Sequence, residues 1–259
     1  MKQAKMSHLQ KTSLKERKKL LVLLVNNNMV SQFTTSVILQ RLNYLVFTVK
    51  TAEEALIAIS IASPQIVLTD VTLPEMNGIA LLQRLKREKG TKDIPVIIYT
   101  KQLDPATRQS CLQAGCSGYL VYPANPNQLY ETIQQVTEAT PRHFVRLNTS
   151  LEIIVGKEGI PGHRVRKERI TALSVNGMYV NTENPLPYGT ILPFTIFLQN
   201  TPEGSICIEG KVLYSHDGKG SGVTQPGMGV SFTSVRPEDR ILIENFIQEK
   251  LMEGIAVTI

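Results

Sequence analysis

The stretch IVLTDVTLPEMNG, residues 66–78, decides the fold of the first half of the chain. It begins with a short continuous apolar run, Ile66–Leu68, which is typical of a strand buried on both faces of a parallel sheet. Asp70 stands where that strand ends, and a loop that contains Pro and Gly follows. Apolar residues at helical spacing begin at Ile79. The segment is therefore a strand–loop–helix unit that carries a carboxylate at its turn.

The same alternation of apolar runs and amphipathic stretches extends to both sides of this unit. The apolar residues at helical spacing in residues 29–42 are Met29, Val30, Phe33, Val37, Ile38 and Leu42. Five such units in about 120 residues predict a doubly wound α/β domain, a five-stranded parallel sheet with helices on both faces. We predict strands over 20–25, 46–49, 66–68, 96–99 and 119–121, and helices over 29–42, 52–61, 79–90, 105–114 and 126–139.

The pattern changes near Ala139. Short alternating strands separated by Gly, Pro and Asn follow, and a single apolar helical stripe closes the chain over 237–251. This pattern predicts a small antiparallel six-stranded β-barrel with a C-terminal helix. We predict its strands over 151–155, 170–173, 177–181, 191–198, 205–215 and 228–232. The domains are expected to be a basic tail (1–19), a sheet domain (20–139) and a barrel domain (140–259).

Charge and composition exclude several classes of protein. Residues 1–19 hold seven basic residues and one acid, which accounts for the whole formal net charge of +6 of the 259-residue chain. No apolar run approaches the ~20 residues of a membrane-spanning helix, and no secretory signal is recognisable, so we expect a cytoplasmic protein. The three cysteines lack zinc-ligand spacing, and we expect buried or half-buried free thiols.

The first half resembles the receiver domain of bacterial response regulators. The residues that carry the resemblance follow the predicted strands, at the edge where open parallel sheets form their sites. Asp70 matches the phosphoacceptor of that family, and Thr100 and Tyr119 match its switch residues. The other matching positions are Thr69, Leu73-Pro74-Glu75-Met76-Asn77-Gly78, Ala114-Gly115, Leu120 and Pro123.

The resemblance also shows what is missing for phosphoryl transfer. Asn26 and Asn27 stand where the family has the acidic pair that holds Mg²⁺, and neutral amides bind this hard cation less well than carboxylates. Tyr122 stands where the family has a lysine that pairs with the aspartyl phosphate. The interpretation is a phosphorylation-deficient receiver without a metal site. Without phosphate, we expect Thr100 to be a surface hydroxyl and Tyr119 a packed ring; slow phosphorylation of Asp70 is the alternative.

The second half resembles the PilZ domain, a receptor for cyclic di-GMP. Arg142 and Arg146 form an RxxxR motif before the first barrel strand, and Ser174 and Gly177 belong to a [D/N]xSxxG motif. By resemblance, the arginines would clamp phosphate and guanine, while Ser174 and Gly177, with Asn176 as a weaker candidate, would line the pocket. Ala172 occupies the Asp or Asn position.

The replacement at Ala172 weakens the expected site without removing it. A lost ligand hydrogen bond costs about 0.5–1.5 kcal/mol, so affinity is expected to fall about tenfold. A second basic cluster, Arg164, Arg166, Lys167 and Arg169, is interpreted as a solvated hairpin edge. His143 and His163 lack partners at metal-ligand spacing. No arrangement of nucleophile, base or paired carboxylates predicts an enzyme.

The sequence therefore predicts a bacterial signalling protein without a cofactor. Its PilZ domain would bind cyclic di-GMP, and its receiver-like domain would mediate a protein interaction or form a homodimer. The alternative is a scaffold protein whose PilZ domain no longer binds nucleotide. Ligand binding would order residues 140–147 and thereby reorient the domains, which requires different affinities in two arrangements. DNA binding is not expected, since no helix-turn-helix follows the first domain and only the basic tail favours it.

Overall fold

The computed structural model of the chain describes residues 19–158, 164–198, 204–218 and 226–255. The basic tail, apart from Lys19, and His163 lie outside these residues. Two bodies are present, one that extends from Lys18 to Val145 and one from Arg146 to Lys250. Within the part of the chain that the structure describes, no helix is long and apolar enough to cross a membrane.

The first body contains the predicted five-stranded parallel sheet. Its strand order is β2-β1-β3-β4-β5, and every pairing in it is parallel. The three inner strands are buried almost completely, as continuous apolar runs require, whereas β2 lies at an edge and is largely exposed. The strands are β1 (Leu21–Val25), β2 (Leu45–Val49), β3 (Ile66–Thr69), β4 (Val96–Thr100) and β5 (Gly118–Val121).

Each helix of this body begins after a side chain that accepts a hydrogen bond from a backbone N–H of the first turn. Such capping satisfies donors that have no partner within the helix. Proline follows the cap in α4 and α5, where its missing N–H is not needed. The helices and their capping residues are α1 (Met29–Arg41, Asn28), α2 (Ala52–Ala62, Thr51), α3 (Gly78–Arg87, Asn77), α4 (Pro105–Gln113, Asp104) and α5 (Pro126–Thr137, Asn125).

Helix α1 buries the C-terminal part of its predicted apolar stripe but not the N-terminal part. Met29, Val30 and Phe33 are exposed, whereas Ile38 and Leu39 are buried. The buried stripe continues toward the start of the helix through Ser31, Thr34 and Thr35. These small polar residues lie on the same face of the helix as Ile38, because residues three and four apart share a face. The large apolar residues near the start of the helix therefore point outward.

The second body is the predicted antiparallel barrel, closed in the order β10-β11-β8-β7-β6-β9. Alternate residues of its strands are buried, which is the period of two that places one face in the core. The strands are β6 (Leu147–Val155), β7 (Arg166–Ser174), β8 (Gly177–Asn181), β9 (Ile191–Phe197), β10 (Ser205–His216) and β11 (Gly227–Ser234), followed by α6 (Pro237–Met252).

Two sequence expectations for the barrel are wrong. Strand β7 pairs with β6 on one side and β8 on the other, so the basic cluster that it carries is not at an edge. Closure of the barrel is the physical reason, since a closed barrel removes edges. The apolar stripe predicted for α6 from Ile241, Leu242, Phe246 and Leu251 is wrong at Ile241, which is exposed, whereas Phe246 and Leu251 are buried.

Candidate functional site

The carboxylate of Asp70 lies at the C-terminal edge of the sheet, one residue beyond β3. Oδ1 accepts a hydrogen bond of 2.6 Å from Oγ1 of Thr100 and one of 3.1 Å from the backbone N–H of Thr72. Oδ2 accepts a longer bond, 3.4 Å, from Nδ2 of Asn26. The parallel strands β1, β3 and β4 thus bring three sequence-predicted residues together. The protein's own donors occupy both oxygens.

The buried side chain of Asn26 is fixed in one orientation. Its Oδ1 accepts a hydrogen bond of 2.8 Å from the backbone N–H of Asn28. Its amide NH₂ therefore points to Asp70, and a donor rather than an acceptor faces the carboxylate. Asn27 is exposed and contributes no contact to Asp70 among those of the described residues.

This corner does not fit the magnesium ion that the resemblance implies. A divalent cation needs oxygen ligands directed toward it, and Mg²⁺ prefers carboxylates together with water. Asn26 instead directs its NH₂ group at the carboxylate of Asp70. In the described segments, no group of three or more acidic, His or Cys side chains could hold a metal.

Thr100 is not the surface hydroxyl that the sequence predicts. Thr100 is 1% exposed, because it is the last residue of β4, an inner strand whose side chains are buried on both faces of the sheet. Tyr119 is the packed ring that was expected, and its hydroxyl donates a bond of 2.7 Å to the carbonyl oxygen of Gln102. The guanidinium of Arg108 lies 5.9 Å from the ring centroid, and burial raises the pKa of Tyr119.

Tyr122 is held in an aromatic arrangement at the end of β5. Its ring meets Tyr99 edge-on at 5.4 Å, and Nζ of Lys101 lies 5.5 Å from its centroid. The buried hydroxyl of Tyr99 accepts a bond of 3.1 Å from the N–H of Ala124. Burial raises the pKa of Tyr99 to about 12. Lys101 places a cation beside this corner. The sequence predictions did not include it, although its position directly after Thr100 is a signal that could have indicated it.

Gly78 allows the loop after β3 to return close to Asp70. A Cβ at this position would lie 2.0 Å from the carbonyl oxygen of Asp70. The N–H of Gly78 donates a bond of 2.9 Å to the carbonyl of Val71, which closes the loop. The Asn-Gly pair of the decisive segment therefore has two local roles, a helix cap at Asn77 and a close approach at Gly78.

In the second body, the first strand brings Arg146 to the level of Ser174. Leu147 pairs with Leu173 across β6 and β7, and Arg146 precedes Leu147 by one residue. Both leucines are buried, so their neighbours Arg146 and Ser174 project from the outer face of the barrel. Arg146 is exposed and Ser174 is half-buried. Three candidates, Arg146, Ser174 and Gly177, thus occupy one patch.

The turn between β7 and β8 is held by contacts from three directions. Oγ of Ser174 donates a bond of 3.0 Å to the carbonyl oxygen of Gly177. The carbonyl of Asn176 accepts from the N–H of Phe232 at 3.0 Å, and its Oδ1 accepts from Nη1 of Arg240 at 2.9 Å. A Cβ at Gly177 would lie 2.5 Å from the carbonyl oxygen of Val230. No local sequence signal links Arg240 to this turn, 64 residues away.

Arg142 and Ala172 complete the predicted set. Arg142 belongs to the first body, where its backbone N–H donates a bond of 3.3 Å to Oε1 of Gln134. Ala172 lies on the outer face of β7, opposite Asn148 of β6. His143 is exposed.

Two arginines of the basic cluster, Arg166 and Arg169, have hydrogen-bond partners on neighbouring segments. Arg166 donates to the carbonyl of Asn184 at 2.8 Å and lies 3.9 Å from Oε1 of Glu168, while Arg169 donates to Oγ of Ser150 at 2.8 Å. A groove of about 510 Å³ contains residues of both signs, among them Lys167, Arg169, Glu152 and Glu183. Its lining carries three carboxylates, with Glu168 as the third, against two basic side chains, which does not favour an anionic ligand.

The three thiols are free, but not all are covered. Cys111 is buried, Cys116 is half-buried and burial raises the pKa of both. Cys207 is exposed, contrary to the expectation, because it occupies an outward position of β10. A raised pKa disfavours the thiolate, so Cys111 and Cys116 are poor nucleophiles.

Comparison with known protein families gives two matches that divide the chain as the fold does. The family model described as the response regulator receiver domain matches residues 22–134, and the PilZ domain model matches residues 139–249. The two-component response regulator ORR3 of Oryza sativa subsp. indica is 30% identical over 116 residues, which are 44% of this chain and 88% of that protein. The chain belongs to the response regulator receiver family.

Bacterial relatives match the same receiver domain. A chemotaxis protein CheY homolog of Campylobacter jejuni is 35% identical over 72 residues, 28% of this chain and 55% of that protein. The solved structure of the chemotaxis response regulator CheY4 of Vibrio cholerae is 28% identical, covers 46% of this chain and 99% of its own, and superposes with a TM-score of 0.43. The receiver domain is thus followed in this chain by a PilZ domain. Both resemblances drawn from the sequence are confirmed.

Proposed function

We propose that this protein is a non-enzymatic bacterial signalling protein of the cytoplasm whose PilZ domain binds cyclic di-GMP. The observation that carries the proposal is the position of Arg146 at the level of Ser174, beside the closely packed backbone of Gly177. A permanently charged guanidinium next to a hydroxyl suits an anionic, planar ligand. Arginine can fork onto phosphate and also stack on a purine.

The rigidity of the turn supports binding at this patch. Ser174, Asn176 and Arg240 hold the turn with bonds of 2.9 to 3.0 Å. A ligand that meets a turn already held in place loses less free energy to ordering than one that must fix a mobile loop. Exposed Arg146 supplies the charge-assisted contact, and we propose that Arg142, from the same RxxxR motif, supplies a second.

Isothermal titration calorimetry of the full chain with cyclic di-GMP tests the proposal. Wild type is expected to bind, and Arg146→Ala and Arg142→Ala are each expected to weaken binding tenfold or more, since hydrogen bonds to charged groups contribute about 1.5–3 kcal/mol. Arg87→Ala removes an equal charge from an exposed position of the receiver domain and is expected to leave affinity unchanged. If the wild type and all the variants give no heat on titration, cyclic di-GMP is excluded as the ligand.

For the receiver domain, we propose an interaction surface, for a protein partner or a second copy, that works without phosphorylation. Asp70 already has Thr100, Thr72 and Asn26 as partners, and the corner does not suit Mg²⁺. Light scattering at several concentrations measures the association of copies. The molar mass is expected to be the same with and without a small phosphodonor and Mg²⁺, and a change that depends on the donor would contradict this role.

The second candidate is a scaffold protein that binds no nucleotide. Ala172 favours it, because a methyl group replaces the side chain that the family uses toward a guanine edge. Calorimetry separates the two candidates, since the scaffold gives no heat with cyclic di-GMP at any concentration.

A further inference from the structure

A row of small and aromatic residues crosses the outer face of the barrel beside the RxxxR patch. Ala172 of β7 pairs with Tyr179 of β8, Tyr179 pairs with Gly229 of β11, and Gly229 pairs with Tyr214 of β10. Directly opposed residues of antiparallel strands project to the same face. Met178, Val180, Met228 and Val230 flank the row and are buried, so the row itself faces outward.

The two tyrosine rings lie close to the backbone of β11. A Cβ at Gly229 would lie 2.3 Å from Cε1 and Cζ of Tyr214, and a Cβ at Gly227 would lie 2.8 Å from the same atoms of Tyr179. The ring centroids are 6.3 Å apart, with an angle of 32° between the planes. Glycines thus provide the space in which both rings lie close to the barrel wall. The result is an aromatic floor on the outer face of the barrel, defined by the half-buried rings of Tyr179 and Tyr214.

The position of Ala172 leaves this floor open on the side of the proposed ligand site. A larger side chain at 172 would stand directly opposite Tyr179, whereas a methyl group covers little of it. The row of Ser174 and Gly177 lies two residues farther along the strands, at about 7 Å by the strand repeat. Polar, charge-bearing and aromatic surfaces are therefore adjacent, as a ligand with phosphates and purine bases requires.

We propose that Tyr179, supported by Tyr214, is a stacking surface for a purine base of the cyclic dinucleotide. The proposal rests on the function proposed above. Stacking of a base on an aromatic ring tolerates different bases and does not need the hydrogen bond that is lost at Ala172. It thereby explains how a PilZ domain with alanine at this position retains its ligand. Half-burial of Tyr179 against the barrel limits the freedom that the ring loses on binding.

The test compares Tyr179→Leu with Tyr179→Phe in titrations of the full chain with cyclic di-GMP. Leucine still covers the glycine backbone but cannot stack, and it is expected to weaken binding about 5- to 150-fold. Phenylalanine keeps the ring and is expected to stay within about twofold of wild type. Tyr188→Leu, at an exposed position outside the row, is the control and is expected to bind as wild type does.

Fluorescence adds a readout that a purely structural role would not change. The chain has eight tyrosines and no tryptophan, so its intrinsic emission comes from tyrosine. A base stacked on Tyr179 is expected to quench part of this emission, and Tyr179→Phe is expected to lose that part while it keeps the affinity. Thermal melts of each variant exclude unfolding as the cause of weaker binding.

The outcomes separate this inference from the proposed function. If Arg146→Ala loses affinity but Tyr179→Leu binds as tightly as wild type, the stacking surface is wrong and the ligand site stands. If wild type does not bind cyclic di-GMP, both proposals are wrong. If Tyr179→Leu and Tyr179→Phe lose affinity equally, the hydroxyl rather than the ring is responsible, and the stacking role is excluded.

Discussion

The hydroxyl of Thr100 donates a hydrogen bond of 2.6 Å to Oδ1 of Asp70, across the neighbouring strands β4 and β3. The residue that matches the family's switch threonine is therefore bonded to the residue that matches its phosphoacceptor. With the N–H of Thr72 on the same oxygen and Asn26 on the other, the carboxylate has three protein donors.

The receiver domain is expected not to accept phosphate from a small phosphodonor in the presence of Mg²⁺. The physical reason is the loss of charged groups, since Asn26 and Asn27 are neutral and Tyr122 supplies no cation. The measurement is acid-labile phosphate on the intact protein. Stoichiometric labelling of Asp70 would overturn the interpretation.

Restoration of the missing groups is the matched control for that experiment. Asn26→Asp, Asn27→Asp and Tyr122→Lys together return two metal-binding carboxylates and one cation, so labelling is expected to appear. The same triple variant with Asp70→Asn is expected to remain unlabelled.

Thr100→Val is expected to lower the free energy of unfolding by about 1–3 kcal/mol. Valine keeps the shape but removes the shortest of the three hydrogen bonds to the half-buried carboxylate of Asp70, and a hydrogen bond to a charged group contributes roughly this amount. Urea denaturation measures the change. Thr132→Val is the control, because it removes an exposed hydroxyl that donates a hydrogen bond within helix α5. If Thr132→Val lowers the free energy of unfolding as much as Thr100→Val does, the bond to Asp70 is not the cause.

Gly78→Ala is expected to destabilise the protein by more than about 2 kcal/mol. The added Cβ would lie 2.0 Å from a backbone oxygen of Asp70, and backbone cannot move aside as the end of a side chain can. Gly90→Ala is the control, because nothing lies within 4 Å of a Cβ there. Equal stability of the two variants in denaturation would contradict the close approach at Gly78.

Stability is expected to fall as the pH rises from about 10 toward about 12. Burial raises the pKa of Tyr99 to about 12, so the unfolded chain loses its phenolic proton at a lower pH than the folded chain does. The unfolded state is then favoured over that interval. The pKa of Tyr44 is raised by burial as well. Tyr99→Phe is expected to reduce the slope of unfolding free energy against pH, and an unchanged slope would exclude Tyr99 as a contributor.

Ala172→Asn is expected to strengthen cyclic di-GMP binding about tenfold in the Tyr179→Leu background, where the larger side chain has no stacked base to displace. The amide returns the hydrogen bond that the family's residue supplies, worth about 0.5–1.5 kcal/mol. Ala172→Leu, similar in size but without polar atoms, is expected not to strengthen binding. Calorimetry on both variants gives the answer, and equal affinities would show that no hydrogen bond forms at this position.

The features that could be predicted from the sequence are those that depend on short-range patterns. The alternating units of the sheet and the strands of the barrel were predictable, because buried runs and periods of two are local patterns. The burial of Thr100 and the two-sided pairing of β7 were not, since both depend on strands distant in the chain. The bond between Arg240 and Asn176 joins residues 64 positions apart and leaves no pattern in the sequence.

The orientation of Asn26 has a consequence for how the protein takes part in signalling. Its amide bonds the backbone with one end and Asp70 with the other, so neutral groups of the protein itself occupy the positions around this carboxylate. Under the proposed function, the receiver domain therefore does not take part in the phosphoryl transfer of two-component signalling. A change in cyclic di-GMP concentration would then act on the barrel, while the receiver domain provides an interaction surface that does not change.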